Sequence, residues 1–392
     1  MVGGTPNDFA FWEKVISDFQ GETGITVRLS RSATQTELRR QQIFVALRGE
    51  KPDPDIMVMD IAWIGQLAAS GWLEPLEQYG IDTSIFFHNI IALADIYNNR
   101  LIGVPLYVDA GLLYYRKDLL EKYGHTGPPE TWQELTDMAV HIQNEERKTN
   151  GDFWGYVWQG AQYEGLVCNA LEFFTSAGGG FFNDDNEPII NAQENVTALQ
   201  RMSDFILKDM ISPPNTFTDM KEEEVRRLFQ NGNAMFQRNW PYAGKLHDKE
   251  GSAVKGKYGT SVLPHFPGKQ SAATLGGWHI GISSFSDRKS DAAAFLKYIV
   301  SYEVQKGLAA ELGHNPGRVD VYENGDLKTG YPGRLKEILV TAVPRPAVPY
   351  YSQISLILQK YINMSISGEM DPQEALNRAQ DEVEKVIRNY AG

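Results

Sequence analysis

Helix and strand signals alternate along the first 110 residues, and this order limits the fold more than any other feature. Residues 6–20 and 36–48 have apolar side chains at helical spacing, and a shorter helical pattern begins at Ile64. Residues 25–29 alternate like a strand, and residues 55–59 form the short apolar run of a buried parallel strand. A β-α-β-α order of this kind predicts a doubly wound α/β lobe.

The strand predicted at 55–59 ends on Asp60, and Trp63 follows shortly after. Ligands of open α/β sheets lie beyond the carboxyl ends of the strands, so this position makes Asp60 a candidate ligand residue. The same position suits an aspartate that only caps the next helix, and Trp63 suits ordinary packing at a helix start. Position alone leaves both interpretations of Asp60 open.

The rest of the chain continues the mixed pattern. With 392 residues it exceeds what one core usually supports, which predicts two lobes. We expect further strands at 101–107, 112–116, 154–158, 261–264 and 274–282. We expect further helices at 131–147, 164–177, 194–209, 219–231 and 287–312, and a last one that begins behind Asp371.

Composition excludes several classes of function. The formal charge of −13 disfavours nucleic acid and anionic lipid as main partners, because both bind to surfaces with clustered Lys and Arg. Cys168 is the only cysteine, so we expect no internal disulfide, and no metal or cofactor signature accompanies the seven histidines. Phosphate-binding loops, G-x-S-x-G elbows and H-E-x-x-H motifs are also absent from the sequence.

Aromatic residues stand beside charged or amide groups in turn-rich segments, such as Tyr107 before Asp109, Asn239-Trp240-Pro241-Tyr242 and Gly276-Gly277-Trp278-His279. A pyranose ring needs this mixture, because its C–H faces lie against aromatic planes while its hydroxyls need charged hydrogen-bond partners. Each segment also has a structural interpretation. A Trp is often part of the core, paired glycines often mark a bend, and Arg345 between two prolines suits an extended linker.

Three longer phrases carry a family resemblance. They are 53-DPDIMVMDIAWIGQ-66, 108-VDAGLLYYRKDLL-120 and 272-AATLGGWHIGI-282. Together with 238-RNWPYA-243 and 343-VPRP-346, they make the chain similar to the extracellular solute-binding proteins of ABC transporters. The subgroup that it resembles most is the trehalose/maltose-binding proteins of thermophilic archaea and bacteria, over about residues 2–390.

This resemblance implies a two-lobe α/β fold of the periplasmic-binding-protein type (type II, maltose-binding-protein-like), with the ligand in an interlobe cleft that closes by hinge motion. Lobe 1 would comprise residues 1–107 and 262–314, and lobe 2 residues 108–261 and 315–392. The crossings between the lobes would lie near 107–110, 258–264 and 313–317. Family members begin with a strand, whereas here only residues 1–4 precede the first helix, which predicts a weaker lobe 1.

The resemblance also implies which residues contact the sugar. The carboxylates and arginines would bond hydroxyls, the aromatic side chains would stack on ring faces, and the glycines would allow close approach of the backbone. These residues are Asn7, Asp8, Arg39, Asp60, Tyr107, Asp109, Trp240, Tyr242, Gly276, Gly277, Trp278 and Arg345.

The expected function is therefore the binding of an α-glucoside disaccharide, trehalose or maltose, for delivery to a membrane ABC permease. We expect a monomer without cofactor, outside the cytoplasm, either periplasmic or anchored at the cell surface; this chain shows no signal or anchor segment. Two alternatives remain. One is a glycoside hydrolase that uses Asp60 and Asp109, and the other is the same fold with another oligosaccharide or a sugar alcohol as ligand.

Overall fold

The computed structural model describes residues 6–33, 35–183, 185–323, 339 and 341–391. Their backbone divides into two compact units. Unit 1 contains the described residues of 1–109, 276–335 and 347–351, and unit 2 those of 110–275, 336–346 and 352–392. No helix in the described ranges is long and apolar enough to cross a membrane.

The described residues form helices of very different lengths. The α-helices are α1 Pro6–Thr23, α2 Thr36–Arg48, α3 Ile64–Ala69, α4 His88–Ile90, α5 Lys117–Lys122, α6 Trp132–Glu146, α7 Glu164–Ser176, α8 Gln193–Leu207, α9 Thr216–Asp219, α10 Glu222–Gln230, α11 Tyr242–His247, α12 Lys289–Ile299, α13 Tyr302–Gly307, α14 Asp320–Glu323, α15 Tyr351–Ile366 and α16 Pro372–Ala391. Short 3₁₀ turns lie at Ile61–Trp63, Glu77–Tyr79 and Thr83–Ile85, and π turns at Ile91–Asp95 and Leu308–Leu312.

The strands are short. They are β1 Ile56–Asp60, β2 Ile96–Tyr97, β3 Arg100–Leu101, β4 Val104–Ala110, β5 Leu112–Arg116, β6 Trp154–Val157, β7 Ala234–Asn239, β8 Tyr258–Ser261, β9 Ala273–Ile282 and β10 Ala342–Val343.

In unit 1, the sheet is built on β9, which pairs with β4 and, in antiparallel register, with β1. This register places Asp60 opposite Trp278. Apolar residues of α1, α12 and β4 pack on one side as a buried core that includes Phe19, Val104 and Leu296. The sheet therefore holds the end of β1 next to the middle of β9, where several predicted site residues lie.

Two predictions about unit 1 need correction. β1 pairs in an antiparallel register, whereas the apolar run suggested a parallel strand. Residues 25–29 form no strand, because the N–H of Ile25 donates to Thr23 Oγ1 and that of Val27 to Gln20 Oε1 instead of to a neighbouring strand. A groove of about 490 Å³ lies between this extended segment and β1.

Unit 2 has its own sheet, in the order β6-β7-β5-β8. β5 pairs with β7 and β8 in antiparallel register, while β6 and β7 run parallel. The core beside it is aromatic: Trp132 stacks on Phe173 with ring centroids 3.8 Å apart, and Phe205 meets Phe173 edge to face. β7 ends at Asn239, so Trp240 follows directly after the end of this strand.

The boundaries of the units differ from the predicted lobes. Residues 262–275, assigned to lobe 1 from the sequence, belong to unit 2, where the Phe266 N–H donates to the Ser176 carbonyl at 3.1 Å. Residues 315–323, assigned to lobe 2, belong to unit 1, where the Val108 N–H donates to the Asn315 carbonyl at 2.9 Å. Backbone hydrogen bonds thus join each segment to the unit other than the one that the sequence predicted.

The helix predicted over 287–312 is not continuous. α12 ends at Ile299, and α13 begins only at Tyr302. Ser301 has an extended backbone with φ −65° and ψ 158°, which interrupts the helical hydrogen bonds.

Candidate functional site

An arginine and two tryptophans form the first part of a polar cluster in unit 1. The Arg39 guanidinium carbon lies 4.2 Å from the centre of the Trp278 ring, and the Trp63 ring meets Trp278 edge to face at 5.4 Å. Arg39 is buried, and its Nε donates to the Ala33 carbonyl at 3.1 Å. Trp278 itself is half-buried, so part of its indole surface remains available.

Asp60 joins this group from the end of β1. Its Oδ1 accepts the Ala62 N–H at 2.9 Å, and the carboxylate therefore caps the 3₁₀ turn that follows. The β1–β9 register also places Asp60 directly across from Trp278. The structure confirms that Asp60 caps a turn, and its role as a ligand residue stays a prediction.

Tyr107 and Asp109 enter the cluster from β4. The Tyr107 ring stacks on His314 with centroids 4.1 Å apart and planes 12° apart, and His314 Nε2 lies 3.3 Å from Asp8 Oδ1. Asp109 accepts a hydrogen bond from Asn315 Nδ2 at 3.4 Å. The turn after Gly313, which has a left-handed φ of 75°, thus brings two further polar side chains to the same place.

Electrostatic interactions connect the members of this cluster. Burial raises the pKa of Tyr107 well above its usual value, the neighbouring Asp109, Asp8 and Asp60 raise it further, and Arg39 opposes them. Burial lowers the pKa of Arg39, while Tyr107, Asp60 and Asp8 counteract that effect. Asp8 and Asp60 thus act on both Arg39 and Tyr107, and Asp109 acts on Tyr107. We call this group the unit 1 cluster: Asp8, Arg39, Asp60, Tyr107, Asp109, Trp278, His314 and Asn315.

The paired glycines explain how β9 approaches β4. Gly277 has a φ of 135°, and a Cβ atom there would lie only 2.7 Å from the Tyr107 carbonyl oxygen. Any larger residue would push the two strands apart. Gly276 is buried on the same strand. Gly277 therefore allows the backbone of β9 to lie close to the backbone of Tyr107 and Asp109 in β4.

Unit 2 carries a second polar cluster after β7. The guanidinium carbon of Arg238 lies 4.0 Å from the centre of the Trp240 ring, and Trp240 Nε1 donates to Glu222 Oε1 at 3.4 Å. The Tyr242 hydroxyl donates to Glu223 Oε1 at 2.9 Å. Trp240 and Tyr242 are both half-buried. We call Glu222, Glu223, Arg238, Trp240 and Tyr242 the unit 2 cluster.

Ionisable groups in the unit 2 cluster have shifted pKa values. Burial raises the pKa of Glu222 above its usual range, although Arg238 and Trp240 oppose the shift in part. Burial, together with Glu223 and Glu222, raises the pKa of Tyr242 well above its usual value. Tyr242 is consequently a neutral hydrogen-bond donor throughout the physiological range.

Arg345 belongs to unit 2 and pairs there with Glu164. Its Nη1 donates to Glu164 Oε1 at 2.9 Å, and Glu164 also accepts a hydrogen bond from Ser355. The contact anchors the proline-flanked segment to the start of α7.

The structure thus groups the predicted site residues unit by unit. Asp8, Arg39, Asp60, Tyr107, Asp109 and Trp278, with Gly276 and Gly277 behind them, come together in unit 1. Trp240 and Tyr242 come together in unit 2, while Arg345 pairs with Glu164. The side chain of Asn7 lies outside what the structure describes.

The sequence argument missed five members of these clusters: Glu222, Glu223, Arg238, His314 and Asn315. The triple Glu222-Glu223-Glu224 looks like an ordinary acidic first turn of a helix, which is a common feature. From the sequence, residues 313–315 are predicted only as part of a crossing between the lobes. No local pattern distinguishes these side chains from surface residues, since their importance comes from partners far away in the chain.

The clusters have the chemistry to hold a polyhydroxylated molecule. Each offers one half-buried indole beside carboxylates, which are strong acceptors for hydroxyl groups. The described residues contain no group of three or more His, Cys, Asp or Glu side chains that could hold a metal ion.

Comparison with known proteins agrees with this chemistry. The chain is 35% identical to a probable ABC transporter-binding protein of Deinococcus radiodurans, over 93% of this chain and 87% of that protein. It resembles the structure of T. maritima MalE3 with bound maltose at 36% identity, with 98% of both chains covered and a TM-score of 0.92. A solute-binding protein of Thermotoga lettingae bound to α-D-tagatose shares 28% identity over 98% of both chains, with a TM-score of 0.87.

These structural matches establish the two-lobe type II fold of periplasmic binding proteins. The family model described as bacterial extracellular solute-binding protein matches residues 3–306, which is most of the chain. Members of this family bind solutes rather than transform them, and the chain belongs to the bacterial extracellular solute-binding protein family.

Proposed function

We propose that this protein is the substrate-binding component of an ABC sugar importer and that its ligand is a neutral α-glucoside disaccharide, maltose or trehalose. The sugar lies in the interlobe cleft that the family resemblance implies, and the protein closes on it and delivers it to a membrane permease. It acts outside the cytoplasm, as a monomer.

One observation carries the proposal: each unit presents a half-buried tryptophan next to carboxylates. Trp278 lies across from Asp60 in unit 1, and Trp240 donates to Glu222 in unit 2. A disaccharide has two rings, each with an apolar face and a rim of hydroxyls, and so matches two such platforms. A ligand that contacts both units stabilises the closed state, while a ligand that contacts one unit does not.

The charge of the unit 1 cluster selects a neutral ligand. The cluster contains the carboxyl groups of Asp8, Asp60 and Asp109 but only one guanidinium, that of Arg39. An anionic sugar would meet more negative than positive charge, whereas the hydroxyls of a neutral sugar find acceptors. A wrong sugar would leave buried polar groups of the protein without hydrogen-bond partners. Each such group would cost about 1–3 kcal/mol of binding free energy.

Similarity supports the sugar class. T. maritima MalE3 is bound to maltose in its structure, and the Thermotoga lettingae protein is bound to α-D-tagatose. The first of these shares more sequence with this chain, which favours maltose over a monosaccharide. The Deinococcus radiodurans relative supports the role in ABC transport.

The test is a titration by tryptophan fluorescence and calorimetry with maltose, trehalose, sucrose, glucose and tagatose. Saturable binding of maltose or trehalose with a dissociation constant of about 1 μM or below, equivalent to about −8 kcal/mol, is the expected result. Exclusive binding of tagatose or of a sugar alcohol would refute the disaccharide assignment. If none of the five sugars gives a binding signal, the proposed function is refuted.

A prolonged incubation of the protein with maltose and trehalose tests the hydrolase alternative directly. We expect both sugars to be recovered unchanged. Release of glucose that depends on Asp60 or Asp109 would contradict a pure binding function.

A further inference from the structure

Both predicted tryptophan platforms carry an arginine on one ring face. The guanidinium carbon lies 4.0 Å from the ring centre for Arg238 and Trp240, and 4.2 Å for Arg39 and Trp278. A planar guanidinium stacks on an indole by a combination of cation–π attraction and surface contact. A ring covered in this way can offer only its other face to a sugar.

Arg238 is engaged by the protein itself. Its side chain is 1% exposed, its Nε donates to Glu172 Oε2 at 2.9 Å, and its Nη2 forms a second bond with Glu172 Oε1. Nη1 lies 3.4 Å from Gln159 Oε1. Burial lowers the pKa of Arg238, but Glu172 outweighs it and raises that pKa above its usual value. The guanidinium is thus a fixed, charged and inaccessible group.

Further contacts fix the rest of the Trp240 residue. Its Nε1 donates to Glu222, its backbone N–H donates to Asn239 Oδ1 at 2.8 Å, and its carbonyl accepts from the Tyr114 hydroxyl at 2.9 Å. These bonds hold the edge and the backbone. Only Arg238 holds a face of the ring among the ring contacts that the structure gives for Trp240.

We propose that Arg238 is a positioning residue for sugar binding, which acts through Trp240 and makes no contact with the ligand; this inference rests on the proposed function. The guanidinium holds the indole plane in one orientation before the sugar arrives. A platform ordered in advance loses less conformational freedom on binding and so binds more tightly. Glu172 supports Arg238 through its hydrogen bonds with Nε and Nη2 of the guanidinium.

The first test needs no ligand. The difference between the near-ultraviolet circular dichroism spectra of the parent protein and Trp240→Phe defines the signal of the Trp240 ring. Arg238→Lys keeps a positive charge beside Glu172 but has no planar group to stack. We expect this variant to lose most of the Trp240 signal. The matched control is Arg201→Lys, the same substitution at an arginine of unit 2 that pairs with Asp209, and it should keep the signal.

The second test is a double-mutant cycle with maltose and trehalose as probes. Arg238→Lys should weaken binding at least fivefold in the parent, and by less than twofold in a Trp240→Ala background, because its effect passes through the ring. An equal loss in both backgrounds would overturn the proposal, and so would unchanged affinity in Arg238→Lys.

The two tests separate this inference from the proposed function. If the parent protein binds neither sugar, the proposed function fails, yet the spectra still report whether Arg238 orders the Trp240 ring. If the parent binds sugar and Arg238→Lys retains the full Trp240 signal, the positioning role is refuted while the proposed function stands.

Discussion

Protonation of His247 should destabilise unit 2 as the pH falls. The side chain is completely buried at the end of α11, with Nε2 2.8 Å from Gln237 Oε1 and the ring against Tyr114 and Phe229. Burial, helped by Arg226, lowers its pKa from 6.5 to about 3. The native state therefore resists a proton that the unfolded chain accepts readily.

The sign and size of the effect follow from linkage. Below pH 6.5 the unfolded chain binds a proton at His247 that the folded chain does not bind until about pH 3. Stability is thus lost as the pH falls through this window, by about 1.4 kcal/mol per pH unit. From pH 7.5 to 4.5 the loss assigned to His247 amounts to roughly 2.7 kcal/mol.

The assay compares chemical unfolding of the parent protein, His247→Gln and His88→Gln at pH 7.5 and 4.5, followed by tryptophan fluorescence. Glutamine replaces the Nε2 donor without a titratable ring, so His247→Gln should lose about 2.7 kcal/mol less than the parent over this interval. His88 is exposed, and its replacement should follow the parent. Parallel losses in the parent and His247→Gln would refute the reasoning.

Three further substitutions test the unit 1 cluster. Asp109→Ala should weaken maltose or trehalose binding at least tenfold in calorimetry, because a charged acceptor is worth about 1.5–3 kcal/mol; unchanged affinity would remove the residue from the site. Trp278→Ala should weaken binding at least as much and remove part of the fluorescence response, and a full response would contradict stacking there. Gly277→Ala should lower the unfolding free energy by about 1–3 kcal/mol, since its φ of 135° and the Tyr107 carbonyl both oppose a Cβ; an unchanged melting temperature would refute the close approach.

The elements that the sequence predicted well are those with local signals. α2 spans Thr36–Arg48 as its apolar spacing indicates, and β5 spans Leu112–Arg116. α6 begins behind Thr131, whose side chain forms a capping box with Glu134. Spacing and capping are properties of neighbouring residues, so one chain is enough to read them.

The elements that the sequence predicted poorly depend on hydrogen-bond partners in other segments of the chain. Residues 25–29 alternate like a strand, but their backbone bonds side chains of α1. β7 was not predicted, because Gln237, Arg238 and Asn239 make it look like a loop, although all three are fully buried. Each of the three has polar partners from other segments, such as His247, Glu172 and Glu222, and no local pattern shows these partners.

The candidate site shows the same limit for arginines. The sequence predicts sugar contacts for Arg39 and Arg345, which stay predictions, and contains Arg238 only within a family motif. In the structure Arg39 covers Trp278, Arg238 covers Trp240, and Arg345 pairs with Glu164. A sequence gives the charge of an arginine but not whether a ring, a carboxylate or a ligand lies in front of it.

These pairings bear on the ligand's charge. A site for a sugar phosphate needs positive charge that the protein has not already balanced. Arg238 is matched by Glu172, Arg345 by Glu164, and Arg39 lies among the carboxylates of Asp8 and Asp60. Binding an anion would require breaking such a pair and leaving a buried carboxylate without a partner, which is far more costly than accepting a hydroxyl. If maltose or trehalose is the ligand, as we propose, the carboxylates that accept its hydroxyls would also exclude its phosphorylated form.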